Sequence, residues 1–317
     1  MKIACFYPAS LFCAWAVSTG LVDTLRRMGH DVVALPIQAT SNAPGRGSCS
    51  VALDPVYRKT FPTKEQLQTF DGILISGPEH IRPEIMALYP EWNEISVPKV
   101  SWMHETVERE DYGRLPIDAI QQFADVTFAP AAQDEKYGLR WLPFGVDTAI
   151  FKPDWNQEKI YDTAFIGLVY PKRTEFLQKL TPHLHGINLL VGNIQVHDLG
   201  GVRVRETALL YADNLRQIKV FVNLPTLSQL AVTKVYEALA CGTFLITPAI
   251  TEYKNFENLQ AHFYDPNKPE ALAESIRFCL EQEEQRIEAT RVCCEQVHQL
   301  HRLELRCEVL LSAMGGS

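Results

Sequence analysis

An α/β architecture of two Rossmann-like domains is what this 317-residue chain predicts. Three observations lead there. Residues 219–250 read strand, loop, helix, strand, the βαβ unit of a parallel sheet. Residues 2–35 read strand, helix, Gly29-His30-Asp31 and strand, the opening of a Rossmann-like half. At 46% hydrophobic and 21% charged, the composition is that of a globular protein with apolar material for two cores. The length also suits one large domain.

The elements follow in order. Lys2 to Tyr7 predicts the first strand. A leader peptide is the competing reading of this apolar run, but Pro8 and Ser10 interrupt it and a helix pattern follows at once. Ser18 to Met28 is amphipathic, with Leu21, Val22, Leu25 and Met28 on one face. Ser18, Thr19 and Gly20 at its start could meet a phosphate, although plain N-capping by Ser18 or Thr19 explains them more simply. No G-x-G-x-x-G stands between Pro8 and Thr19, so there is no dinucleotide fingerprint. Val32 to Leu35 is the second strand. Residues 40–51, rich in Ser, Gly and Pro, predict a mobile loop, and Arg46 within it either meets an acceptor or is merely solvated.

Phe70 to Ser76 and Val97 to Met103 are strands that end in Gly77-Pro78-Glu79-His80 and His104-Glu105-Thr106. Both endings read as strand-end loops of the ligand-binding kind. A His or Glu there can orient or deprotonate an acceptor hydroxyl, or can serve only as a hydrogen-bonded support. His104 and Glu105 are the catalytic candidates, ahead of Glu79 and His80. Asp125 to Ala129 predicts a strand and 131–137 a helix.

Thr163 to Leu168 is a strand containing Gly167, and helix 173–180 follows. Lys172 and Arg173 open that helix. Cations there oppose the helix dipole, so a bound diphosphate explains them better than chance exposure does. Arg173 is preferred over Lys172, because a guanidinium grips phosphate oxygens bidentately. Ile187 to Val191 predicts a strand, and Glu206 to Tyr211 a short helix.

In the 219–250 unit, Lys219 to Leu224 is a strand and Thr226 to Leu230 a turn. Ala231 to Ala240 has helical spacing, stopped by Gly242, and Thr243 to Thr247 is the second strand. Asn223 ends the first strand, Ser228 and Gln229 stand at the helix entrance, and Thr233, Lys234 and Glu237 lie within it. A helix amino terminus suits a phosphate, a Lys neutralises a diphosphate, and a Glu can accept from a ribose diol. The plainer alternative is an i, i+3 surface ion pair between Lys234 and Glu237. His262 to Tyr264 is the last strand, and Pro269 to Leu280 and Glu283 to Leu311 are helices.

Glu237-Ala238-Leu239-Ala240-Cys241-Gly242, followed by an apolar strand, resembles the nucleotide-sugar signature of GT-B glycosyltransferases of the family-4 retaining and CgeB-like type. Leu142-Pro143-Phe144-Gly145-Val146-Asp147, with Phe151-Lys152-Pro153, resembles the interdomain linker of the same enzymes. The resemblance implies two Rossmann-like domains facing a cleft: 1–153 on the acceptor side, 154–295 binding the nucleotide sugar, and 296–317 a helix crossing back. It implies that Glu237 holds the ribose, and Lys234 fits the basic residue that CgeB-like members carry three positions earlier. The implied reaction moves a sugar from a UDP- or GDP-sugar to a hydroxyl acceptor, with retention and without a metal or other cofactor. The acceptor could be a small molecule, a glycan or a modified nucleobase in DNA. The family pattern has two acidic residues eight apart, and Gln229 replaces the first. That departure keeps two alternatives open, a non-catalytic nucleotide-sugar binder and a GT-B-shaped epimerase.

Composition narrows the partners. A net charge of −8 argues against a broad nucleic-acid face. No apolar run reaches transmembrane length. The eight cysteines show no CxxC pair and no zinc spacing, which suits a reduced, cytoplasmic setting.

Overall fold

The computed structural model describes residues 1–9, 14–37, 61–109, 113–167, 169–192, 202–224, 230–248 and 260–315. The chain forms two compact units. Unit 1 comprises Met1–Asp147, Val196–Glu206 and Leu303–Ser317, and unit 2 comprises Thr148–Gln195 and Thr207–Arg302. The sequence-based division at 153 and 296 compares with these breaks after 147 and 302. The predicted loop 40–51 with Arg46, and Ser228 and Gln229, lie outside the described residues.

Unit 1 runs β1 (Lys2–Pro8), α1 (Thr19–Arg27), β2 (Asp31–Ile37), α2 (Lys64–Leu67), β3 (Gly72–Ser76), α3 (Pro78–Leu88), β4 (Lys99–Trp102), β5 (Glu108–Arg109), β6 (Gly113–Arg114), α4 (Ile117–Gln121), β7 (Val126–Ala129) and β8 (Arg140–Trp141). Its six-stranded sheet has the order β2-β1-β3-β4-β7-β8, every pair parallel. Strands buried on both faces explain why β1 and β3 read as nearly unbroken apolar runs. Ile3 pairs with Val32 on one side and with Gly72 on the other, so the strand order reverses at β1. Open α/β sheets bind ligands beyond the carboxyl ends of strands at such a reversal. The core gathers Phe6, Ile73, Ile75, Ile81, Ile85 and Trp92, with Trp92 stacked on Phe123 at 4.8 Å.

Three readings of unit 1 are corrected. Gly77 to His80 is not a loop. Gly77, at φ 65°, caps α3, and Pro78 is its first residue, where a missing N–H costs nothing. Residues 132–137 form a 3-10 rather than an α-helix. Ser18 does not cap α1: its hydroxyl donates backwards to the Ala14 carbonyl at 2.8 Å. Gly20 has a packing reason, because a Cβ there would come 2.4 Å from the Trp15 indole nitrogen.

The Pro143–Asp147 segment is tied down by side chains of unit 1. Asp147 is fully buried; it accepts from Trp15 Nε1 at 2.8 Å and from Arg27 Nη2 at 2.6 Å. Arg306 Nε donates to the Pro143 carbonyl at 2.9 Å, and the Leu303 N–H to that of Val146 at 2.8 Å.

Unit 2 runs β9 (Tyr161–Ile166), α5 (Pro171–Leu180), β10 (Leu189–Gly192), α6 (Val202–Arg216), β11 (Ile218–Val222), α7 (Thr233–Ala240), β12 (Phe244–Pro248), β13 (His262–Tyr264), α8 (Pro269–Glu281) and α9 (Glu283–Leu300), after which α10 (Leu303–Gly315) belongs to unit 1. The five-stranded sheet has the order β10-β9-β11-β12-β13, again all parallel. Thr163 of β9 pairs with Leu189 and with Val220, so this sheet reverses between β9 and β11. Two helix readings change here. α6 is 15 residues long instead of six, because Ala208, Tyr211, Ala212 and Leu215 continue its buried stripe. The single helix 283–311 is two, broken at His301–Arg302 where the chain passes from unit 2 to unit 1. No helix among the described residues is long and apolar enough to cross a membrane.

Asp147→Ala is expected to destabilise the protein by about 2–3 kcal/mol, because it leaves the buried Trp15 N–H without its acceptor and takes from Arg27 its nearest carboxylate. The check is a lower urea midpoint at an unchanged slope.

Candidate active site

At the strand reversal of unit 2, two cations share one aromatic ring. Lys234 Nζ stands 5.1 Å above the centroid of Phe165 on β9, and the Arg173 guanidinium lies 5.3 Å from the same centroid. Arg173 also packs on Tyr170 at 4.6 Å. The two arrive from different helices: Arg173 from the first turn of α5, Lys234 from the first turn of α7. Gly167, just past β9, makes room for them, since a Cβ there would meet Lys234 Nζ at 3.3 Å. Among the described residues, neither helix has a side-chain cap at its amino terminus. Lys172 is exposed, whereas Arg173 beside it is buried. Thr233 is the half-buried first residue of α7.

Glu237 lies one turn along α7 and is only 4% exposed. It is therefore not half of a surface ion pair, and it meets Lys234 through space rather than by a hydrogen bond. Burial pushes its carboxyl up to about 8, against the pull of Lys234. Burial drives Lys234 well below the usual lysine range, helped by Arg173 and opposed by Glu237. Arg173 is lowered too, chiefly by burial, while Tyr170 supports its charge. Burial thus favours the neutral forms of Glu237 and Lys234, while Arg173, a guanidinium, stays charged.

Asn223, at the end of β11, is knitted into the sheet. Its Nδ2 donates to Thr247 Oγ1 at 3.1 Å, and its carbonyl accepts from the Tyr264 hydroxyl at 3.0 Å. Only Oδ1 is left, buried and without a hydrogen-bond partner among the described residues. Sequence reasoning missed Tyr211 of α6. Its buried hydroxyl also lacks a partner, and burial with the nearby Glu237 and Cys241 raises its phenol well above the ordinary value. The only signal was its place in the apolar stripe of α6.

The unit 1 candidates stand beyond β3 and β4. His104 Nε2 lies 2.8 Å from Ser76 Oγ, which is itself 2.6 Å from the Val17 carbonyl. That carbonyl can only accept, so the single hydroxyl proton of Ser76 goes there and His104 Nε2–H donates to Oγ. Gly77 clears space for the ring, because a Cβ would stand 2.8 Å from Nδ1. Glu79, from α3, accepts the backbone N–H of His104 at 2.6 Å and of Glu105 at 2.9 Å. The structure thus brings Glu79, His80 and His104 into one cluster, the two rings 5.9 Å apart.

Residues 172–312 match the family model described as "Glycosyl transferase-like". The fold is that of GT-B glycosyltransferases. Sucrose-phosphate synthase from Thermosynechococcus elongatus has the same fold at 14% identity, with a TM-score of 0.63 over 98% of each chain. So does HepE from Anabaena, solved with UDP and glucose: 12% identity, TM-score 0.65, over 99% of this chain and 100% of that one. An alpha-glucosyltransferase in complex with UDP and a 13-mer DNA gives 14% and 0.64 over 98% of this chain and 100% of that one. At such identities the likeness concerns the fold. A comparison with curated protein sequences finds no match.

The sign of the Glu237 shift fixes a pH dependence. The fold favours the neutral acid, so its contribution to stability is complete below the ordinary value of 4.5 and is lost as pH rises through about 8. In the unliganded protein, wild type should lose stability relative to Glu237→Gln over that window, read from denaturation midpoints. Lys234, shifted the other way, contributes with opposite sign in both proteins.

Proposed function

We propose that the protein transfers a glycosyl group from a nucleoside-diphosphate sugar, carrying uridine or guanosine, to a hydroxyl acceptor, with retention at the anomeric carbon. The observation that carries this reading is the pair of cations, Arg173 and Lys234, on one Phe165 ring at the strand reversal of unit 2. A diphosphate has the charge and the oxygens to engage a guanidinium and an amine side by side.

In this reading Arg173 and Lys234 hold the diphosphate and carry the charge that grows on it as the glycosidic bond breaks. The N–H groups opening α5 and α7 add to that field. Charge stabilisation by side chains makes a metal unnecessary to the step. Glu237 accepts from the ribose diol, with Tyr211 beside it. The departing phosphate oxygen takes the acceptor proton. From unit 1, His104 and Glu105 serve to orient acceptor hydroxyls.

The test is a thermal-shift panel of UDP-, GDP-, ADP- and dTDP-sugars. One nucleotide family should stabilise the protein by about 2.7 kcal/mol at a hundred times its dissociation constant. Glu237→Ala should abolish the shift. Arg173→Lys should weaken binding about tenfold, because an ammonium cannot reproduce the two-point grip. No shift with any donor would overturn the reading. A shift with no sugar transfer would favour a non-catalytic binder, the alternative that Gln229 motivates.

A further inference from the structure

Four consecutive residues of unit 1, His104 to Val107, are held from two sides by buried acids. On one side, Glu79 Oε1 takes the N–H groups of His104 and Glu105. On the other, Asp134 Oδ2 takes the N–H of Val107 at 3.0 Å, and its Oδ1 the Thr106 hydroxyl at 3.2 Å. Asp134 is 1% exposed, and the Glu79 side chain likewise. Glu79 sits in the first turn of α3, directly after β3, while the loop follows β4, so this one carboxyl joins two strand ends beside the sheet's reversal.

The structure assigns to Glu79 the part of a positioning residue, one that fixes the backbone presenting His104 and Glu105 without touching substrate itself. A simple tether would not need an acid. Oε1 alone makes the two backbone bonds, and Oε2 is buried without a hydrogen-bond partner among the described residues. An amide would supply the same acceptor and leave no ionisable group inside. What the acid adds is a second state. The titratable groups facing it are His80 on its own helix, with Nε2 3.6 Å from Oε1, and His104 and Glu105 on the loop. Burial first, and the nearby Glu105, push Glu79 up to about 8, against the backbone N–H bonds. Below that pH the loop hangs on a neutral acid. Above it, the carboxylate grips the same N–H groups more strongly while repelling Glu105.

The inference rests on the proposed function only for its turnover arm. Nuclear magnetic resonance of the full chain tests the rest. In wild type, the His104 and Glu105 amide signals should move together with a midpoint near pH 8. Glu79→Gln should keep both N–H bonds and the Nε2–H tautomer of His104 but lose that joint titration. Glu79→Ala should speed exchange of both amides by about tenfold or more and release the tautomer. With UDP-glucose as donor and water as acceptor, the Ala variant should lose about tenfold or more in kcat at unchanged KM, and the Gln variant should keep its rate but not the change near pH 8. Absence of the joint titration in wild type overturns the assignment. So does an Ala variant with protected amides and a fixed tautomer, or a proportional loss in kcat and folded protein that Gln does not rescue. If wild type releases no UDP from UDP-glucose, the donor reading fails for that sugar, and the resonance arms still decide the role of Glu79.

Discussion

Two positive side chains resting on one phenylalanine ring set the terms for the rest of unit 2. Coulomb repulsion between Arg173 and Lys234 is not relieved by solvent, because Arg173 is buried and burial dominates the shifts of both. Arg173, a guanidinium, keeps its charge and packs against Tyr170, while burial favours the neutral form of Lys234. The sheet makes this possible. It reverses between β9 and β11, and α5 and α7 both follow strands of that reversal.

Unit 1 repeats the same topology. Its reversal lies beside β1, and polar groups again gather past the strand ends. Here, however, the backbone N–H groups beyond β4 are already satisfied by the protein's own carboxyls, Glu79 and Asp134.

Much of this was legible in the sequence because parallel strands buried on both faces leave apolar runs that nothing else in a globular chain imitates. The strands β1, β3, β9, β11 and β12 were read within a few residues for that reason. Lys234 and Glu237 were legible as neighbours, since helical spacing alone puts them on one face. Their burial was not, because it depends on β9 and α6 packing across them. The first turn of α3 was misread since Gly, Pro and two polar residues look the same in a loop as in a glycine-capped helix start. The grip of Glu79 on residues 25 and 26 positions away has no local signature at all. The long helix 283–311 failed for the converse reason: its apolar pattern continues smoothly through a break that only the change of unit imposes.

That break bears on how the protein is made. The first strand of unit 1 and its last helix, α10, lie on either side of unit 2 in the chain, so α10 is synthesised after it. Met314 packs against the bare backbone of Gly72, where a Cβ would meet its sulfur at 2.8 Å, and Arg306 holds the carbonyls of Pro143 and Phe144. At typical rates of about 5–20 residues per second, the first 147 residues wait roughly 10–30 s for their missing piece. Unit 2, complete at Arg302, has all its own strands and helices before then. The usual order of synthesis, amino-terminal domain first, is therefore reversed here. The apolar faces of β3 and α1 must stay unpaired, and soluble, until the tail arrives.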